Sequence, residues 1–226
     1  MSDINNLIEQ MYTAGLQTGY TRSRRHPSTQ DAIYAIKNRI DIIDLTQTAK
    51  VLVEAQEFLA GIKRAGKKIL FVGTKPEIKR LITEAAEHAD MPYITKRWVG
   101  GILTNFKEIR GRINILDDLE DRKATNRLIY RTKKERLLLE RTIDKLNANF
   151  GGIKDMKDLP GALVIIDPLK ENNAVKETRI KNIPIVALGN TDCDMSVIEY
   201  PIIGNDATQA SVSLILNALV EAMKTI

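Results

Sequence analysis

The 226-residue chain has one cysteine, two histidines, one tryptophan and only 5% aromatic residues. Cys193 alone excludes an intramolecular disulfide and predicts a reducing compartment. A zinc site needs three or four nitrogen or sulfur ligands, which two distant histidines and one thiol do not supply. No apolar run approaches the ~18 residues of a membrane span. The opening MSDINNLIEQ has no basic start, apolar core or Arg-rich presequence. A cytoplasmic chain without membrane contact is expected. Phosphate-binding glycine loops are missing as well: LFVGTK (Leu70 to Lys75) ends a strand where one would lie, yet it offers Gly73 followed by Pro76 and neither G-x-G-x-x-G nor G-x-x-x-x-G-K-[ST].

What is present is apolar content and an uneven charge. With 43% hydrophobic residues the chain can bury a sizeable core, and 34 basic against 29 acidic residues give a net charge of +5. Residues 1–145 hold 27 basic and 19 acidic groups, residues 146–226 hold 7 and 10. The cationic character belongs to the first two thirds. It gathers in TRSRRHPST (Arg22, Arg24, Arg25, His26), around Gly66 (Lys63, Arg64, Lys67, Lys68) and in KRW (Lys96, Arg97, Trp98). Arginine grips phosphate with a bidentate fork, so three such clusters point toward a phosphate-bearing partner.

The periodicity predicts an α/β fold. A short helix and a Gly-containing turn reach to about Tyr20; AIYAI (Ala32 to Ile36) and IDIIDL (Ile40 to Leu45) suit a small hairpin. Thr46 to Arg64 has helical spacing, then KKILFVG (Lys67 to Gly73), Met91 to Thr95, ALVIIDP, IPIVALG and YPIIGN read as strands separated by helices. Such alternation argues for a parallel sheet covered on both faces. Thr74 with Glu77, Asn105 with Glu108, and Asp206 with Gln209 are expected helix caps.

Between the strand groups, Ile102, Phe106, Ile109, Ile113 and Leu116 step by four and three, as do Leu139, Ile143, Leu146 and Phe150. This is coiled-coil spacing and predicts an antiparallel hairpin inserted at 105–147, turning near Asp121 to Arg127. The sheet domain is then formed by 1–104 and 148–226, with an N-terminal extension and small hairpin at 1–45. Residues 105–145 carry 12 basic and 8 acidic groups, so the arms suit an RNA surface. Gly100 and Gly101 allow a tight path at the hairpin root, where Trp98 is expected to pack while Arg97 faces outward.

An enzymatic alternative uses the predicted strand ends. Asp192, Asp194 and Asp206, with Cys193, stand where doubly wound folds bind ligands, and such oxygens suit magnesium or hydrolytic chemistry; a nucleotide- or metal-dependent enzyme would use the strand ends near Gly73, Asp167, Asp192 and Asp194. Against it, the nucleotide loop is missing and neither His26 nor His88 has a catalytic partner in the sequence. Asp and Asn also bond their own backbone in such loops.

RWVGGILTNF, preceded by KKILFVGTK and followed by FGGIKDM, LPGALVIID, IPIVAL and YPIIGND, closely resembles the bacterial-type family of the second protein of the small ribosomal subunit. The resemblance runs in order from about Ala14 to the C-terminus. It implies a flavodoxin-like three-layer domain with a coiled-coil hairpin and no catalytic activity. It also implies a position between head and body of the small subunit, contact with its ribosomal RNA and neighbouring proteins, and in many bacteria a role in holding the large first protein. No cofactor is implied beyond magnesium carried by RNA, and no small-molecule substrate. Arg97, Trp98, Gly100, Gly101, Thr104 and Asn105 fall in the family signature, Arg24 and Arg25 in its N-terminal basic loop. The expected RNA contacts are Arg22, Arg24, Arg25, Lys67, Lys68, Arg97, Thr104, Asn105, Lys107 and Arg110. Two departures stand out. Gln17 and Tyr20 replace usual histidines, which puts any metal or RNA contact attributed to those histidines in question, and Asn190 to Met195 differs from the common D-T-N-C-D-P.

Overall fold

The computed structural model describes residues 2–125 and 132–224. Helix α1 (Ser2–Thr13) leads through Gly15, at φ +79°, into strand β1 (Thr18–Thr21). Strands β2 (Ile33–Lys37) and β3 (Ile40–Ile43) form the expected hairpin, and β1 joins them in an antiparallel sheet of order β1-β3-β2. Glycine interrupts the pattern of β1, so the sequence places only a turn there. The structure gives Gly19 its reason: a Cβ would lie 2.8 Å from the Thr191 Cγ2 and 3.0 Å from the Asp41 carbonyl oxygen.

The main domain follows as α2 (Leu45–Arg64), β4 (Ile69–Val72), α3 (Lys79–Ala89), β5 (Tyr93–Ile94), α4 (Phe106–Ala124), α5 (Lys133–Phe150), β6 (Ala162–Ile166), α6 (Asn172–Ile180), β7 (Ile185–Gly189), β8 (Tyr200–Ile203) and α7 (Gln209–Lys224). Its five strands are parallel in the order β5-β4-β6-β7-β8. Taken in chain order this is the winding of flavodoxin-like domains. Side chains alternate across the sheet as the two-residue strand period requires. Ile69 and Phe71 of β4 and Val164 of β6 pack with α2, α3 and α7, whereas Leu70, Val72, Leu163 and Ile165 pack with α6 and the hairpin root. Both sheet faces are therefore covered, which explains why these strands read as unbroken apolar runs.

The expected caps are replaced. Asp44 caps α2 by accepting from the Thr46 amide at 2.9 Å. Helix α3 starts at Lys79 rather than Thr74, because the Thr74 amide and hydroxyl both donate to Glu171 Oε1, at 2.9 and 2.5 Å. Asn105 occupies the N-cap of α4 without a side-chain bond, and the Asp206 carboxylate is held by Lys75 instead of capping α7.

Helices α4 and α5 pack on each other. Ile109, Ile113 and Leu116 of α4 and Ile143 and Phe150 of α5 are buried, while Phe106, Leu139 and Leu146 are half-buried. Ile102, expected on this seam, precedes α4 and is buried in the sheet-face core. The turn expected from Asp121 is displaced, since α4 continues to Ala124. The remainder of the expected turn, residues 126–127, lies outside the described residues.

Candidate nucleic-acid interface

The WVGGILT segment is organised by one carboxylate that sequence reasoning did not single out. Glu177, in the apolar face of α6, accepts at Oε1 from the Trp98 indole at 2.9 Å and from the Gly101 amide at 2.8 Å. At Oε2 it accepts from the Leu103 amide at 3.1 Å, the Thr104 amide at 3.2 Å and the Thr104 hydroxyl at 3.1 Å. Burial alone would raise its pKa, but the bonds from Trp98, Gly101, Thr104 and Leu103 outweigh burial and hold it below the ordinary value. Gly101, at φ +95°, turns the backbone so that its amide meets the carboxylate. Trp98 is buried as expected, and Lys96 and Arg97 point outward. The sequence signal for Glu177 is a charged residue at a helix position whose neighbours Ala174, Val175 and Thr178 are buried.

The N-terminal basic loop is a short 3-10 turn, Arg22–Arg24, laid against the loop after β7. The Tyr20 amide donates to Thr191 Oγ1, the His26 amide and Thr29 hydroxyl donate to the Thr191 carbonyl, and the Met195 amide donates to Ser28 Oγ, all at 2.8–2.9 Å. Its arginines then diverge. Arg22 is exposed. Arg24 lies 4.4 Å above the Tyr20 ring and reaches Asp192 at 3.3 Å, while remaining largely exposed. Arg25 is turned inward: its Nε donates to Asp41 Oδ2 at 2.7 Å and its Nη2 to Oδ1, and Asp41 is fully buried. That ion pair raises the guanidinium pKa and occupies the fork that a phosphate would need.

The other expected contacts are scattered. Lys67 is exposed just before β4, and beside it Lys68 is bound to Asp90 through both a carboxylate oxygen and the carbonyl, each at 2.8 Å. These two stand at the amino edge of the parallel sheet, whereas Arg22–Arg24 pack beside Thr191 at the carboxyl edge. At the hairpin root, Arg97, Asn105 and Lys107 are exposed, Thr104 is tied to Glu177, and Arg110 donates to the Lys154 carbonyl. The ten residues therefore do not form one patch.

The strand ends where an enzymatic site is expected are filled from within. The carboxyl ends of β4 and β6 flank the switch point where doubly wound sheets take ligands. Lys75 sits there, with Nζ 2.8 Å from Asp167 Oδ2 and 2.9 Å from Asp206 Oδ2. Burial pulls the lysine pKa down, but the bonds to Asp167 and Asp206 overcome this and leave it raised. Asp206 is raised by burial despite that lysine, and its Oδ1 has no hydrogen-bond partner among the described residues. Ligand atoms of Asp167, Cys193 and Asp206 lie within 4.8 Å of one another. The ammonium group already supplies the positive charge for these carboxylates. Burial pushes the Cys193 thiol up to about 12, so it is no thiolate nucleophile at neutral pH. Asp194 accepts from the Ser196 hydroxyl and amide, which with other contacts holds it ionised in turn chemistry. Gly73 serves packing, because a Cβ would collide with Ile82 Cδ1 of α3.

An α/β domain whose switch point is occupied by its own lysine, and which carries exposed arginines and lysines such as Arg22, Lys67, Arg97 and Lys107 elsewhere, suits a binding and scaffolding class of protein. Sequence comparison gives that class its particular family. The family model described as ribosomal protein S2 matches residues 11–225, and the chain belongs to this structural, non-enzymatic family. It is 44% identical over 209 residues to small ribosomal subunit protein uS2 of Roseiflexus sp. (strain RS-1), covering 92% of this chain and 80% of the relative. It is 40% identical over 216 residues to uS2c of Cyanophora paradoxa, covering 96% and 93%, and 40% over 223 residues to uS2c of Phaeodactylum tricornutum, covering 99% and 98%.

Proposed function

We propose that the chain is a structural constituent of the small ribosomal subunit, cytoplasmic on the ribosome, binding ribosomal RNA at the junction of head and body and supporting translation. The family match over residues 11–225 carries this reading. The outward cations supply its physical side. Arg22, Arg24, Lys67, Arg97 and Lys107 are exposed and serve as phosphate contacts, with Asn105 beside them. Arg25, Thr104 and Arg110 shape the protein through Asp41, Glu177 and the Lys154 carbonyl; Lys68 divides itself between Asp90 and solvent.

In this reading α4 and α5 are the arms of a coiled-coil hairpin inserted at 105–147 into the sheet domain of 1–104 and 148–226, and the arms lie along RNA. Neighbouring small-subunit proteins, including the large first protein where a ribosome has it, complete the partners. Magnesium enters only as a counter-ion of the RNA, and no small-molecule substrate is used.

Co-sedimentation of the chain with small subunits tests the proposal. The expected outcome is association that weakens as salt rises, since phosphate contacts release counter-ions. Arg97→Ala should lower affinity and reduce the slope of log affinity against log salt by about one, leaving the unfolding midpoint unchanged. A wild-type chain that stays in the supernatant beside intact subunits would refute the assignment.

A further inference from the structure

The β2–β3 hairpin holds Arg25 through Asp41, and it also presents an unusual exposed surface. Tyr34 is 78% exposed, Ile36 48% and Ile40 36%. Its turn places Asn38 and Arg39 at φ 53° and 67°, the left-handed pair of a tight hairpin, which sets the exposed Lys37 and Arg39 at the hairpin tip. The Arg22 amide donates to the Arg39 carbonyl at 3.3 Å, bringing a third cation alongside. Among the described residues none of Arg22, Lys37 and Arg39 takes part in an ion pair. The acid within the hairpin, Asp41, is buried against Arg25 and offers them no neutralisation. The hairpin thus carries an exposed aromatic ring, and Ile40 paired with Lys37, together with three positive charges that no ion pair offsets among the described residues; Ile36, paired with Asp41, lies on the other face.

We propose that this hairpin binds single-stranded RNA, with Tyr34 stacking on an unpaired base and Arg22, Lys37 and Arg39 contacting the flanking phosphates. The proposal rests on the reading of the chain as an RNA-associated subunit protein and specifies the form of RNA this element takes. A duplex offers phosphates and 2′-hydroxyls but keeps its base faces stacked, so it would leave Tyr34 unused. An unpaired base has a free face, and a cationic track with an aromatic platform is how proteins hold single strands. Along the strand Tyr34 and Lys37 are separated by about 10 Å at ~3.3 Å per residue, within reach of successive nucleotides of one strand. A protein strand adding to β2 is the competing occupant, because β2 is an edge of the small sheet. The register shift between Ile33 and Ala35 breaks the regular ladder such a strand needs, and Lys37 charges the edge.

Fluorescence anisotropy of the full chain with labelled oligouridine, and with a short RNA duplex of equal phosphate content, tests this. Oligouridine should bind more tightly than the duplex. Tyr34→Ala should weaken oligouridine binding about tenfold, with duplex binding and thermal midpoint unchanged, and Tyr34→Phe should restore it. Lys37→Ala with Arg39→Ala should reduce the salt slope for oligouridine by about 1.4. Equal affinity of Tyr34→Ala and wild type for oligouridine, or a duplex that binds as well as the single strand, would overturn the proposal. So would an acidic peptide that occupies the hairpin without displacing oligouridine. The Tyr34→Ala chain should still co-sediment with small subunits; failure of the wild type to do so would instead sink the ribosomal reading itself.

Discussion

Glu177 is the residue on which the signature segment converges. Five donors from Trp98, Gly101, Leu103 and Thr104 meet its two oxygens, and three of them are backbone amides with no other acceptor among the described residues. Charge matters as well as shape, because bonds to an ionised acceptor contribute more than neutral ones. Glu177→Gln keeps the volume but turns one acceptor into a donor facing amide hydrogens, so it should cost about 3 kcal/mol. The pH dependence has a definite sign. The folded pKa lies below the ordinary 4.5, so the carboxylate's contribution is complete above that value and is lost as pH falls through the folded one. Urea midpoints of wild type and Glu177→Gln should differ at neutral pH and converge in acid. A constant difference across that range would assign the effect to packing rather than to charge.

Among the elements, the helices and strands follow from apolar periodicity, and the five parallel strands lie where their unbroken runs predict them. What the sequence could not show is where polar side chains turn. Thr74, Asn105 and Asp206 all have the residue types of caps, but Thr74 is drawn to Glu171, 97 positions away, and Asp206 to Lys75, 131 positions away. Local capping rules describe an isolated helix, and a buried acceptor or cation overrides them. The same limit applied to the RNA candidates: Arg25 and Arg22 look alike in sequence, and only the fold brings Asp41 to one of them. The α4–α5 pair offers a cleaner test of periodicity. Ile113 is fully buried on the seam, while Ile115, two residues on, is 55% exposed. Ile113→Ala should lower stability by about 3 kcal/mol, through lost transfer energy and the cavity left behind, whereas Ile115→Ala should stay within ~0.5 kcal/mol. Chemical denaturation of both variants measures this; equal losses would mean that the exposed isoleucine has a packing role after all.

At the scale of the whole molecule, the strand ends where doubly wound sheets take ligands form an internal joint. Lys75 connects the loop after β4 to Asp167 after β6 and Asp206 after β8, so a single ammonium group ties three strand ends together. Buried pairs of this kind add little over an apolar replacement of the whole group, but removing one partner leaves charge uncompensated. Lys75→Met should therefore destabilise the fold by about 4 kcal/mol near neutral pH. The pH course separates this cause from loss of packing. Asp206 is already raised above its ordinary 3.8 by burial, and without the lysine that now opposes the effect it would rise further. A carboxyl with a raised folded pKa is at its most favourable when protonated and loses stability as pH climbs through that value. The variant should thus approach wild type at acid pH, where Asp206 is protonated, and fall furthest behind at alkaline pH, where it is ionised. Adding Asp206→Asn to Lys75→Met should recover part of the loss at the higher pH and little at the lower. Urea denaturation of the single and double variants at both values decides it, and a pH-independent deficit would show that Lys75 acts through its aliphatic stem instead of its charge.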